Sequence, residues 1–146
     1  MNCAFYGNSE AMTNSAQFIT GLFERYGLSN TYWAYYSGID KESYFSGAVV
    51  RPYPPFLGGI LKQYGFDHLT GEFSCAWNES HTVKAATVIY IPDLGRLIKE
   101  SIILTPEGNH PLIQSIKDSK SGYMIIPSSG NAIERTVKFK IKPGET

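Results

Sequence analysis

The side chains able to do chemistry in this sequence are few, and their spacing narrows what they can do. His68, His81 and His110 are far apart and none has a second ligand at helical spacing, which argues against a metal site. Cys75 lies in the apolar run Phe73 to Trp77 and reads as a buried core thiol, with no adjacent histidine to activate it. Whether it pairs with Cys3 stays open, because two cysteines alone do not define a disulfide. Gly58-Gly59 follows Pro55, Phe56 and Leu57 without the strand-to-helix setting of a phosphate loop, and reads as a flexible turn. Asn78-Glu79-Ser80 matches a glycosylation acceptor that we place in a turn; such tripeptides also recur by chance. Lys138, Lys140 and Lys142 form a basic stripe. It reads as a solvated strand face that discourages edge pairing, rather than as a ligand site.

Composition sets the frame for these groups. The chain has 146 residues, enough for one compact domain or for a sandwich with a shorter segment attached. Ten Tyr and eight Phe with only 18% charged residues favour β-structure over a helical bundle. Thirteen basic residues balance thirteen acidic ones, so no overall field draws the chain to nucleic acid or to an anionic membrane. No basic-then-apolar leader opens the sequence, and no apolar run reaches the length of a membrane span.

The elements follow from periodicity. From Asn14 to Tyr26, Ala16, Phe18, Ile19, Leu22, Phe23 and Tyr26 recur mostly at three- and four-residue intervals, predicting a helix that buries this face and ends at Gly27. Short apolar runs flank it, Cys3 to Gly7 before and Thr31 to Tyr36 after, predicting a parallel strand-helix-strand unit. The segment Val49 to Pro55, with Pro52, Pro54 and Pro55, cannot sit inside a sheet and marks a boundary. Beyond it, seven β-type runs separated by turn residues predict an antiparallel β-sandwich: 61–66, 72–77, 86–91, 97–104, 112–117, 123–126 and 136–142. In the last, Val137, Phe139 and Ile141 alternate with the lysines, one set to the core and the other to water. The expected class is mainly β, with residues 1–50 as the strand-helix-strand segment and residues 51–146 as the sandwich.

Two stretches carry a resemblance. Arg51-Pro52-Tyr53-Pro54, followed by Tyr64-Gly65-Phe66-Asp67 and Thr70-Gly71-Glu72-Phe73, resembles the passage from barrel to sandwich in glycoside hydrolase family five, in its endoglycoceramidase-like branch. Tyr32-Trp33-Ala34-Tyr35 is similar to that family's Trp-bearing eighth barrel strand, and Thr87 to Pro92 to a strand of its C-terminal sandwich. The resemblance implies that residues 1–50 are a partial remnant of a (β/α)8 barrel: its seventh strand at Cys3 to Gly7, its seventh helix, and its eighth strand at Thr31 to Tyr36. Two strands and a helix cannot close a barrel.

Retaining glycosidases need two neighbouring carboxyl groups. In the resembled family the acid lies on the fourth strand, which has no counterpart here, and the nucleophilic glutamate ends the seventh strand. At that place this chain has Ala4-Phe5-Tyr6-Gly7, so Phe5 stands where the glutamate would be. Glu10, three residues past Gly7, reads as a capping or solvated residue near the helix start. No catalytic residue is therefore expected, and no cofactor. Trp33 is the candidate substrate-binding residue, because the resembled family places a tryptophan on its eighth strand against the sugar; a Trp buried against the inner sheet surface is the other reading. Tyr35 and Tyr36 carry the same pair of readings. The expected function is the C-terminal portion of an endoglycoceramidase-like hydrolase, inactive as an isolated chain. The alternatives are a non-catalytic sandwich binding carbohydrate or glycolipid, and a structural or interaction module. An unclosed strand-helix-strand unit leaves apolar surface and open strand edges, so self-association or a completing partner is expected through residues 1–50.

Overall fold

The computed structural model describes residues 2–3, 7–29, 31–32, 36–108 and 110–142. The chain forms two compact units, Met1–Arg51 and Pro52–Thr146. Phe5, Trp33 and Tyr35 lie outside the described residues.

In the first unit, strands β1 (Asn2–Cys3) and β2 (Thr31–Tyr32) pair in parallel on either side of helix α1 (Glu10–Tyr26) in sequence. The helix begins four residues before the apolar periodicity, because Ser9 caps it by accepting the Met12 N–H at 3.2 Å. It ends at Gly27, whose φ of 60° lets its N–H and that of Leu28 turn back to the carbonyls of Glu24 and Phe23. The buried face is the expected one in part: Ala16 and Phe23 are buried and Ile19 packs against them. Thr20 and Glu24 are buried as well, whereas Phe18 and Tyr26 are 69% and 67% exposed. Spacing alone could not rank Phe18 against Thr20. The tertiary partners decide: Ile39, Tyr44 and Ala48, from the turns after the helix, pack with Ala16 and Phe23. Thr20 meets its polar requirement inside the helix by donating to the Ala16 carbonyl at 2.9 Å.

The second unit is a sandwich of two four-stranded sheets. Its strands are β3 (Tyr53–Phe56), β4 (Gly59–Asp67), β5 (Glu72–Glu79), β6 (Thr87–Ile91), β7 (Leu97–Thr105), β8 (Leu112–Ser115), β9 (Gly122–Ile126) and β10 (Glu134–Ile141). One sheet runs β4-β5-β10-β7 and the other β3-β6-β9-β8, with every pairing antiparallel. Period-two alternation drives the inner faces together. Phe73, Cys75 and Trp77 of β5 and Val137, Phe139 and Ile141 of β10 meet Ile89, Ile91, Met124 and Ile126 of the opposite sheet in one core. Phe73 and Phe139 are register partners, and their rings stack at 4.8 Å.

Four local expectations are corrected. The proline-rich Tyr53–Phe56 segment does join a sheet, as the edge strand β3, where a missing N–H can face away from the ladder. The lysines of β10 are solvated, but β10 lies between β5 and β7, so they guard no edge. Gly58-Gly59 is not a flexible turn: it carries the chain from an edge of one sheet to an edge of the other. There a methyl group on Gly59 would fall 1.9 Å from the Asn78 carbonyl oxygen, and the Gly58 N–H is held by the Thr87 hydroxyl at 3.0 Å. Asn78 likewise stands in a strand paired on both sides, not in a turn.

Candidate functional site

The motif that carried the family resemblance proves to be architectural. Asp67 ends β4 and its carboxylate accepts the N–H groups of Leu69 at 2.8 Å and Thr70 at 3.2 Å, while its carbonyl accepts the Gly71 N–H. The Leu69 N–H, with further bonds from Thr70, holds the Asp67 carboxyl below its ordinary range. Gly71 has φ of 70°, and a methyl group there would lie 1.9 Å from the Ile141 carbonyl oxygen. Phe-Asp and Thr-Gly thus fix the β4–β5 turn against the end of β10.

The groups that sequence reading set aside stay apart. Cys75 is a free, fully buried thiol, and burial pushes its pKa up to about 12, so it is no nucleophile. Glu10 is exposed in the first helical turn. His68 packs edge-on to Phe66, and among the described residues no cluster of metal-ligating side chains forms. Tyr36 is half-buried, its hydroxyl 3.2 Å from that of Tyr44.

What sequence reading missed are two buried ion pairs. In the first unit the Glu24 carboxylate is bound by Nε of Arg51, which also donates through Nη1 to the Val49 carbonyl at 3.2 Å. In the sandwich, Glu79 and Arg135 meet across 56 positions of sequence, with side chains 1% and 2% exposed and an Oε2 to Nη1 distance of 2.9 Å. The cause is register. Arg135 is opposite Trp77 on the inner face, one period before Val137, and Glu79 is one period past Trp77. Carrying each alternation two residues further would have flagged both.

This polar end of the core is held by the loop after β9. Ser128 donates its hydroxyl to Glu79 Oε1 at 2.6 Å, the Ser129 N–H bonds the same oxygen, and Arg135 Nη1 also donates to the Pro127 carbonyl at 2.8 Å. Burial by itself would raise the Glu79 carboxyl, but bonds from Ser128, Arg135 and Ser129 outweigh it and hold it below the ordinary carboxylate range. The guanidinium also lies over the Trp77 ring, 5.7 Å from its centroid. Arg135 Nε is buried without a hydrogen-bond partner among the described residues. On its outer side Arg135 floors a cleft of about 220 Å³ lined by Pro106, Glu107, Gly108, Pro127, Ser129 and Ile133.

Comparison with known proteins agrees with this architecture. Residues 51–120 match the glycoside hydrolase family 5 C-terminal domain. No curated protein matches the sequence. Among solved structures, endo-glycoceramidase II from Rhodococcus sp., described as a lactosyl-enzyme intermediate, aligns over 99% of this chain with a TM-score of 0.66 and 14% identity. Sterylglucosidase 1 from Cryptococcus neoformans aligns over 89% with a TM-score of 0.64 and 15% identity. At these identities the likeness is one of fold. The chain spans 33% of the first structure's length and 24% of the second's.

Proposed function

We propose, from the match of residues 51–120 to the glycoside hydrolase family 5 C-terminal domain, that the chain serves as the C-terminal portion of an endoglycoceramidase-like glycosidase and that by itself it cleaves no glycosidic bond. The observation supporting the second half is that Glu24 and Glu79, the fully buried acidic residues among those described, are each bound by an arginine. That leaves the half-buried Glu42, with one shielded and unpartnered oxygen, without either of them as a second carboxylate free of an ion pair. Glu79, held below the ordinary carboxylate range, is a poor proton donor. Bonded in this way, it is also not free to attack carbon. Glu79 further spends its second oxygen on Ser128 and Ser129.

The chain's part is then architectural: strands β3 to β8 fall within the family match, and their turn residues are committed to holding the sandwich. Within this reading Trp33 is the proposed sugar contact, by stacking on a pyranose face. The test is to incubate the purified full chain with a fluorescently labelled glycosphingolipid and follow glycan release. No release above a protein-free blank is expected, and measurable turnover that survives repurification would overturn the proposal. Trp33 is tested separately by glycan titration followed by Trp fluorescence, with Trp33→Phe abolishing any quench.

A further inference from the structure

The cleft over Arg135 is not accounted for by an architectural role. Arg135 lines it, with Nη2 3.8 Å from where a side chain on Gly108 would begin, while the unpartnered Nε is shut off from solvent behind it. Nη2 is therefore the guanidinium donor that a molecule in the cleft would meet. Half-buried Pro127 and Ile133 and exposed Pro106 supply apolar surface, and Glu107 adds an exposed carboxylate.

Charge decides what such a cleft accepts. The Arg135 cation is already neutralised by Glu79 behind it, and the other charge lining the cleft is the Glu107 anion. A carboxylate or phosphate would meet no net positive charge and would be repelled by Glu107. A cation would face the guanidinium. A neutral ring bearing adjacent hydroxyls satisfies both groups, accepting from the guanidinium and donating to the carboxylate while its C–H face rests on proline and isoleucine. The volume of about 220 Å³ lies below the roughly 300–1,000 Å³ of sites for drug-sized ligands. One small ring fits, not an oligosaccharide.

We propose that this cleft is a binding site for a single neutral polyhydroxylated ring, a monosaccharide or one residue of a glycan, gripped between Arg135 and Glu107. The site is independent of the glycosidase reading, so either can fail without the other.

The experiment is NMR titration of the full chain with D-galactose and D-glucose, in parallel with sodium acetate and sodium phosphate. Shifts are expected at the Gly108, Ser129 and Ile133 amides and at the Arg135 Nε–H with at least one sugar, and not with the anions. Gly108→Leu plugs the cleft without backbone strain, since Gly108 does not have a positive φ and its first side-chain atom meets only an ordinary contact. It should weaken sugar binding at least about ten-fold at unchanged thermal stability. Glu107→Gln, on an exposed side chain, should weaken it several-fold and serves if Gly108→Leu misfolds. Absence of sugar shifts at these residues, equal shifts in the plugged variant, or shifts by anions instead of sugars would overturn the proposal.

Discussion

Replacing Glu79 with alanine removes one member of an ion pair whose side chains are 1% and 2% exposed and leaves Arg135 charged inside the sandwich. Three hydrogen bonds to the carboxylate, from Arg135, Ser128 and Ser129, are lost with it. Breaking such a buried pair costs about 3–5 kcal/mol, because the remaining charge stays desolvated. For a unit of this size each kcal/mol lowers Tm by roughly 4–8 °C, so a fall of roughly 12–40 °C is expected. That is a large part of a typical stability of about 5–15 kcal/mol. The double variant Glu79→Met with Arg135→Leu removes both charges and should recover most of the loss; set against the single variants Glu79→Met and Arg135→Leu, it should give a coupling of about 1.5 kcal/mol or more. Urea unfolding in a Trp33→Phe background isolates the sandwich, since Trp77 is then the sole tryptophan. A single-variant cost below about 1 kcal/mol, the scale of a surface pair, would refute the reasoning, as would strict additivity in the double variant.

Gly71→Ala should destabilise the sandwich by at least about 2 kcal/mol, from strain at positive φ plus displacement of the β10 end. Gly130→Ala, at a φ of 75° with open space around it, should cost only the strain; equal costs in urea melts would contradict the close approach at Ile141. Glu79 and Asp67 are held below their ordinary range when folded. The stability they contribute is therefore complete above the unfolded-state values of about 4.3 and 3.9. It is lost as pH falls through the lower folded values. Urea midpoints should be level from pH 7 to about 5 and drop below about 4, and a midpoint that rises on acidification would contradict this. Cys75 should resist alkylation in the folded chain at pH 8 and react in urea, read by peptide mapping; rapid native labelling would count against its burial. Phe18 and Tyr26, exposed on α1, should drive self-association, so Phe18→Ser with Tyr26→Ser should shift sedimentation toward monomer. A wild-type chain already monomeric at high concentration would remove this expectation.

Much of the sandwich was legible because its signals are local. Alternation in Val137, Phe139 and Ile141 assigns the inner face of β10 without reference to any neighbour. Asp67, Thr70 and Gly71 specify their turn through bonds spanning at most four residues. The helix was equally readable, its buried face only in part: Ala16 and Phe23 are buried as expected, but Thr20 and Glu24 displace Phe18 and Tyr26 because Ile39, Tyr44, Ala48 and Arg51 lie on that side.

By itself, then, the sequence determined the class of fold, most of the strands and the resemblance in its turn motifs, since periodicity and turn chemistry act over a few residues. Tertiary structure alone decided that β10 lies between β5 and β7, that Pro-rich Tyr53–Phe56 is an edge strand, and that Arg135 reaches Glu79. Such pairings join residues far apart in the chain, and no short-range pattern encodes which strand will lie beside which. The cleft over Arg135 depends on them, for it exists only where the segments after β7 and β9 converge on the start of strand β10.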